Sequence, residues 1–125
     1  MKVILKNIPA VGMHHDIGRG CGLNVLETFE VIREPLNAID ENALKLKNDQ
    51  GERVAYIARD YAKYLTHLFT VKIEQAFAQV VEDSPKVRVW ERGPEQFVNV
   101  AIELPEHFLN MTKHLLKNID HVIYM

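Results

Sequence analysis

Four side chains late in the sequence fall on alternate positions: Lys86, Arg88, Trp90 and Arg92, with Val87, Val89 and Glu91 between them. Alternation of this kind puts one set on one face of a β-strand and the other set on the opposite face. Cations interleaved with an aromatic are what single-stranded DNA sites use, charge for the phosphates and a ring for base stacking. The same spacing also describes a solvated strand face with Trp90 tucked under a helix, and alternation alone leaves the two readings level. A second group gathers earlier, where Asn37, Asp40 and Asn42 follow Pro35. Their side chains can hydrogen-bond the nearby main chain and fold it back on itself, which makes either a rigid structural turn or a binding rim.

Other chemistry finds little footing. The chain has one serine, Ser84, beside Pro85 in a turn, and neither Gly-x-Ser-x-Gly nor His-Glu-x-x-His occurs. Acids and histidines are scattered, so no catalytic residue is assigned and no enzyme is expected. His14, His15 and Cys21 are zinc-type ligands close in sequence. Adjacent strand residues point to opposite faces, however, and a structural zinc site takes four ligands, so neither metal nor cofactor is expected.

Composition bounds the class. A chain of 125 residues, 47% hydrophobic and 26% charged, is expected to form one soluble domain, residues 1–125, around a single core. The net charge of −2 argues against a protein that coats nucleic acid nonspecifically. It leaves room for a small concave site, because residues 84–92 set Lys86, Arg88 and Arg92 against Glu91 alone. No apolar run approaches the roughly 20 residues of a membrane span. No secretory signal is read, and a lone cysteine suits a reducing compartment, so a cytoplasmic location is expected.

The elements that must hold these residues read mostly as strands. Val3–Leu5 and Ile8–Met13 form an opening strand broken or edged at Pro9, with a bulge or close approach at Gly12. A glycine-rich loop follows through Gly22. Asn24–Ile32 is a second strand, stopped near Pro35. Leu44–Lys47 and Val54–Ile57 form a hairpin about Asn48-Asp49-Gln50-Gly51, with Gly51 at positive φ. From Arg59 the period becomes helical for about three turns, to Phe69. The following stretch to Val81 fits either a continued helix or a strand. After the Lys86–Arg92 strand, Gly93-Pro94 reads as a turn and Phe97–Leu104 as a last strand. Pro105 opens a C-terminal helix of about residues 105–119, striped by Phe108, Met111, Leu115, Leu116 and Ile119. The fold class is α+β, mainly β: a small barrel with an inserted helix and a closing helix.

The order Arg33-Glu34-Pro35-x-Asn37-x-x-Asp40-x-Asn42-Ala43-Leu44, a glycine-containing hairpin, Val54-Ala55-Tyr56-Ile57, then Arg59-Asp60-Tyr61-Ala62 resembles the HIRAN domain. The match is densest over residues 30–65. That family is attached to DNA-remodelling helicases and also occurs as small free-standing proteins. The resemblance implies an OB-like β-barrel, with a short helix and then a strand between residues 59 and 82. It also implies binding of single-stranded DNA, with capture of a free 3′-OH end. Its pocket would take Met13-His14-His15 after Val11-Gly12, Asp40 as acceptor for a terminal hydroxyl, and Asn37 to brace the turn. Tyr56 comes from the strand leaving the hairpin, Arg59 pairs with a phosphate, and Phe97 offers a ring for a base. Where helicase-attached members carry a basic residue followed by aromatics, this chain has His14-His15-Asp16.

The expectation is therefore a non-catalytic DNA-binding module for repair or processing of damaged or stalled DNA. Its partners would be single-stranded DNA or 3′ ends and a helicase or nuclease, and Lys86, Arg88, Trp90 and Arg92 would guide the strand. The alternative is a protein-interaction or dimerisation module, because the apolar C-terminal helix and its tail through Ile123 and Met125 suggest a homodimer contact.

Overall fold

A computed structural model describes residues 1–12, 23–24, 26–70, 75–81, 88–90 and 93–125. Within them eight strands form one sheet. They are β1 (Lys2–Val11), β2 (Thr28–Arg33), β3 (Leu44–Lys47), β4 (Arg53–Ile57), β5 (Gln75–Val80), β6 (Arg88–Trp90), β7 (Gly93–Glu103) and β8 (Val122–Tyr124). The order is β6-β7-β5-β2-β3-β4-β1-β8, and a further antiparallel pairing of β7 with β1 closes the barrel. Helix α1 (Arg59–Leu65) and a 3-10 turn (Thr66–Thr70) are inserted between β4 and β5. A 3-10 turn (Glu106–Phe108) and helix α2 (Leu109–Leu115) follow β7. The mainly-β barrel with an inserted helix and a closing helix is thus the fold the chain adopts.

Strand alternation builds the core. Val98, Val100 and Ile102 of β7, Ala76, Ala78 and Val80 of β5, and Leu44 and Leu46 of β3 all point inward and are buried. In β5 this period of two decides against a continued helix, which would have buried residues three and four apart. Ala62, Leu65 and Leu68, on α1 and the turn after it, are fully buried in the same cluster. Each leucine so buried contributes about 1.5–3 kcal/mol.

Several boundaries differ from the sequence reading. The opening strand is not broken at Pro9, which lies inside β1 and accepts the Ala58 N–H at 2.9 Å. The irregularity falls at Asn7, at φ 56°, where the register with β7 shifts between Leu5 and Ile8. Asparagine tolerates this left-handed conformation, and the Asn99 Oδ1 accepts its N–H at 3.1 Å. The shift turns the inward set from Val3 and Leu5 to Ile8 and Ala10. Strand β2 starts at Thr28 rather than Asn24, since Leu26 at φ 64° cannot continue a strand. Gly93 and Pro94 belong to β7 and pair with Trp90 and Val89, so that strand begins earlier than Phe97.

The C-terminus differs most. The α-helix spans Leu109–Leu115, shorter than the expected residues 105–119. Its apolar stripe faces inward: Leu116 and Ile119 are buried, and Phe108, Met111 and Leu115 pack on the core. His121, at φ 59°, turns the chain so that Val122–Tyr124 pairs with Leu5–Val3 as a strand. Met125 and Lys2 then exchange backbone hydrogen bonds at 2.8 and 3.2 Å. The apolar tail is a strand of its own barrel.

Candidate nucleic-acid interface

The turn between β2 and β3 is built by its own side chains. Asn37 Oδ1 accepts the N–H groups of Ile39 at 2.9 Å and Asp40 at 3.0 Å. Asp40 Oδ1 accepts the Asn42 N–H at 3.0 Å, and the Ala43 N–H donates to the Asp40 carbonyl at 3.1 Å. The backbone around Asp40 is therefore pinned on both sides, and its second carboxylate oxygen is turned towards Arg59. Arg59 Nε lies 3.6 Å from Asp40 Oδ2, with the arginine side chain 67% exposed and the aspartate 20%. At that distance the contact is an ion pair without a tight hydrogen bond.

Beside this pair stands a second network, centred on Glu34. Its Oε1 accepts the Tyr56 hydroxyl at 2.8 Å and Asn37 Nδ2 at 3.1 Å, and its Oε2 lies 3.6 Å from Lys45 Nζ. Arg53 Nη1 donates to the Tyr56 oxygen at 3.0 Å, and its guanidinium carbon lies 5.3 Å from the ring centre. Burial pushes the Glu34 carboxyl upward, but the Tyr56 and Asn37 hydrogen bonds with the Lys45 and Arg53 charges outweigh it and hold it below the usual range. Burial and donation to Glu34 raise the Tyr56 phenol, against the opposing effect of Arg53. Both directions place the proton on tyrosine and the charge on glutamate.

These residues surround an open groove of about 470 Å³, lined by Val11, Asn37, Ile39, Asp40, Ala43, Arg53, Tyr56, Ile57 and Arg59. Lys45 pairs with Tyr56 across β3–β4, and Val11 pairs with Tyr56 across β1–β4, so register fixes the ring over the end of β1. Gly12 follows at φ 79°, and a Cβ there would lie 3.6 Å from the Tyr56 ring. An apolar floor, one fixed carboxylate and two arginines make a site that can seat a flat or sugar-like group while accepting a hydroxyl hydrogen bond and holding an anion.

Of the residues expected to act together, Asn37, Asp40, Tyr56 and Arg59 line this groove. Phe97 is not among its described lining residues. It lies on β7 opposite Pro9, two positions from Glu95, the partner of Val11. Arg88 is opposite Glu95, and the register Arg88–Glu95–Val11–Tyr56 puts its backbone three strand spacings from Tyr56, about 14 Å. Trp90 lies on the same short strand, opposite Gly93. His14, His15, Lys86 and Arg92 fall outside the described residues, as does Cys21.

Sequence reading missed Glu34, Lys45, Arg53 and Ile39. Lys45 and Arg53 stand on the two hairpin strands, but the register shift between Leu46 and Lys47 sets Lys45 opposite Tyr56 where a plain count from the turn would set Leu44. It also missed Gln96, which is buried on β7 and holds Leu23 by both backbone groups, accepting its N–H at 2.7 Å and donating to its carbonyl at 3.0 Å. No spacing rule announces such a clamp.

No family model matches the chain. The fold is similar to that of the HIRAN domain of human HLTF. The TM-score is 0.72 over 96% of this chain and 93% of that one, at 20% identity. A Lactobacillus plantarum protein of solved structure is also similar, with a TM-score of 0.56 over 82% of this chain and 98% of the other, at 19% identity. In sequence, the chain is 30% identical over 89 residues to an Arabidopsis thaliana protein named SWI/SNF-related matrix-associated actin-dependent regulator of chromatin subfamily A member 3-like 1. The alignment covers 69% of this chain and 10% of that protein, so the chain spans about a tenth of the relative it matches. The barrel has a HIRAN-like fold.

Proposed function

We propose that this HIRAN-like barrel is a non-catalytic DNA-binding module that holds a free single-stranded 3′ end in the groove beside Asp40. One observation carries the reading: Asp40, pinned by Asn37 and Asn42 and paired loosely with Arg59, stands over an apolar floor beside the Tyr56 ring. In this mechanism the Asp40 carboxylate accepts the hydrogen bond of the terminal 3′-hydroxyl. Arg59 keeps its outer guanidinium nitrogens for the adjacent phosphate while its Nε stays near Asp40. The Tyr56 hydroxyl is spent on Glu34 and Arg53, so its contribution is the ring, a wall for the last sugar or base. His14, His15 and Phe97 wall the next bases, and Lys86, Arg88, Trp90 and Arg92 guide the rest of the strand. The similarity to a SWI/SNF-related regulator of chromatin and to the HIRAN domain of human HLTF supports work on DNA. Action at damaged or stalled DNA beside a helicase or nuclease, in a reducing cytoplasm, is part of the same proposal.

The interaction-module alternative draws no support from α2, whose apolar stripe is used by the core.

The test is fluorescence anisotropy with short labelled single strands that end in a 3′-hydroxyl or a 3′-phosphate, at two salt concentrations. A 3′-phosphate brings negative charge against Asp40 and removes the donor, so the hydroxyl form should bind at least tenfold tighter, about 1.4 kcal/mol. Asp40→Ala should erase that preference. Unchanged discrimination in Asp40→Ala removes the core of the proposal.

A further inference from the structure

The outer wall of the barrel carries a second depression, of about 650 Å³, away from the Asp40 groove. Across it, register aligns Ile4, Ala101 and Phe77 on β1, β7 and β5, and the row runs on beyond the depression to Ile123 of β8. Phe77 is 38% exposed and Ile123 42%, with the small Ala101 between them, so the row is a shallow apolar trough with an accessible ring. Polar rows flank it. Lys2, Glu103 and Gln75 are aligned on one side, and Lys6, Asn99 and Gln79 lie on the other. Gln79 spends its amide hydrogen on the Leu26 carbonyl and keeps an oxygen, while Asn99 spends its oxygen on the Asn7 N–H and keeps its NH₂ group.

The trough and the groove share one strand face. Glu95, Phe97, Asn99, Ala101 and Glu103 of β7 are all partly exposed, and the residues between them are buried. Glu95 is opposite Val11 at the groove, Phe97 opposite Pro9, and Ala101 opposite Ile4 in the trough. Val11 and Ile4 are seven positions apart on β1, roughly 23 Å at strand rise. Phe97, which does not line the groove itself, stands between the two.

We propose that this trough is a second contact for the same single strand, a base-stacking site reached from the groove over Phe97; it rests on the end-capture reading. Phe77 supplies the stacking ring, Lys2 and Lys6 supply phosphate contacts, and the Gln75, Gln79 and Asn99 amides meet base edges. Glu103 is the single carboxylate among the described lining residues, and it lies opposite Lys2. The two rim lysines and the narrow apolar row between them suit a strand of phosphates and flat bases, with Glu30, exposed on β2 opposite Phe77, bounding the row on its far side. A protein interface core is depleted in lysine and alanine, both of which line this trough.

The test compares oligothymidylates of about 4 and about 10 nucleotides, both with free 3′-hydroxyls, spanning the lower range of single-strand footprints on such barrels. The longer strand should bind on the order of tenfold tighter, the worth of one stacked base. Phe77→Ala should lose that gain while keeping the preference for 3′-hydroxyl over 3′-phosphate, and Lys6→Gln should flatten the salt dependence of the longer strand. Should Phe77→Ala fail to fold by circular dichroism, Phe77→Leu keeps apolar bulk without the ring and reads the same loss. Equal affinity for both lengths, or a length gain untouched by Phe77→Leu and Lys6→Gln, overturns the trough and leaves end capture standing. A gain that needs Phe77 in a protein indifferent to the 3′ end keeps the trough and refutes end capture. If sedimentation shows that Phe77→Ala alters self-association while strand binding is unchanged, the trough is a protein contact and the proposal fails. No binding to any strand overturns both.

Discussion

Replacing Glu34 by alanine removes one carboxylate that joins three parts of the barrel: the β2–β3 turn through Asn37, strand β4 through Tyr56, and strand β3 through Lys45. Hydrogen bonds to an ionised acceptor contribute about 1.5–3 kcal/mol each when well buried. Two discounts apply. The Glu34 side chain is 25% exposed, and Arg53 still donates to the Tyr56 oxygen when the glutamate is gone. The pair together is therefore expected to contribute about 2 kcal/mol, and its loss to lower the melting temperature of a chain this size by roughly 8 °C.

The pH dependence gives the prediction a second, independent edge. The folded Glu34 carboxyl sits below its ordinary range, so its stabilisation is complete above the unfolded value of about 4.3 and is lost as pH falls through the folded value. Tyr56 is the mirror case. Its phenol is raised in the fold, so its contribution is complete below the ordinary tyrosine value and is lost as pH rises through the folded one. Thermal denaturation of wild type and Glu34→Ala across acid to neutral pH should show a gap that is widest at neutral pH and closes towards acid. Equal melting temperatures at neutral pH refute the network. A gap that stays constant into acid refutes its electrostatic basis and leaves only packing.

Other consequences are simpler to read. Gln96→Ala strands the Leu23 N–H and carbonyl, and should cost about 3 kcal/mol in urea denaturation, since each unpaired buried group costs about 1–3 kcal/mol. Gly12→Ala should cost about 1–2 kcal/mol from positive φ, because the added methyl meets the Tyr56 ring at an ordinary 3.6 Å. Deleting Val122–Met125 removes β8 and should destabilise the barrel by about 3 kcal/mol through lost backbone hydrogen bonds and burial. A truncated chain of unchanged melting temperature would instead mark β8 as a surface appendage.

What could be read in advance followed from short-range rules. Asn48-Asp49-Gln50-Gly51 names a turn by its side-chain chemistry, and the structure puts Gly51 at φ 82° with Asn48 Oδ1 accepting the Gln50 and Glu52 N–H groups. Asn37 and Asp40 are legible for the same reason, being turn residues that bond their own backbone. Long-range pairing is where such rules stop. Nothing local says that His121 will adopt positive φ and return an apolar tail to β1, so a terminus ending in Val122-Ile123-Tyr124 reads as a surface in need of a partner. The partner is the chain's own first strand, whose Lys2–Leu5 backbone would otherwise lack a neighbour on that side. Glu34 was hidden in a like manner. In sequence it precedes a proline and marks a strand end, whereas in the barrel it joins Tyr56, Asn37 and Lys45, and the candidate site takes its shape from that junction.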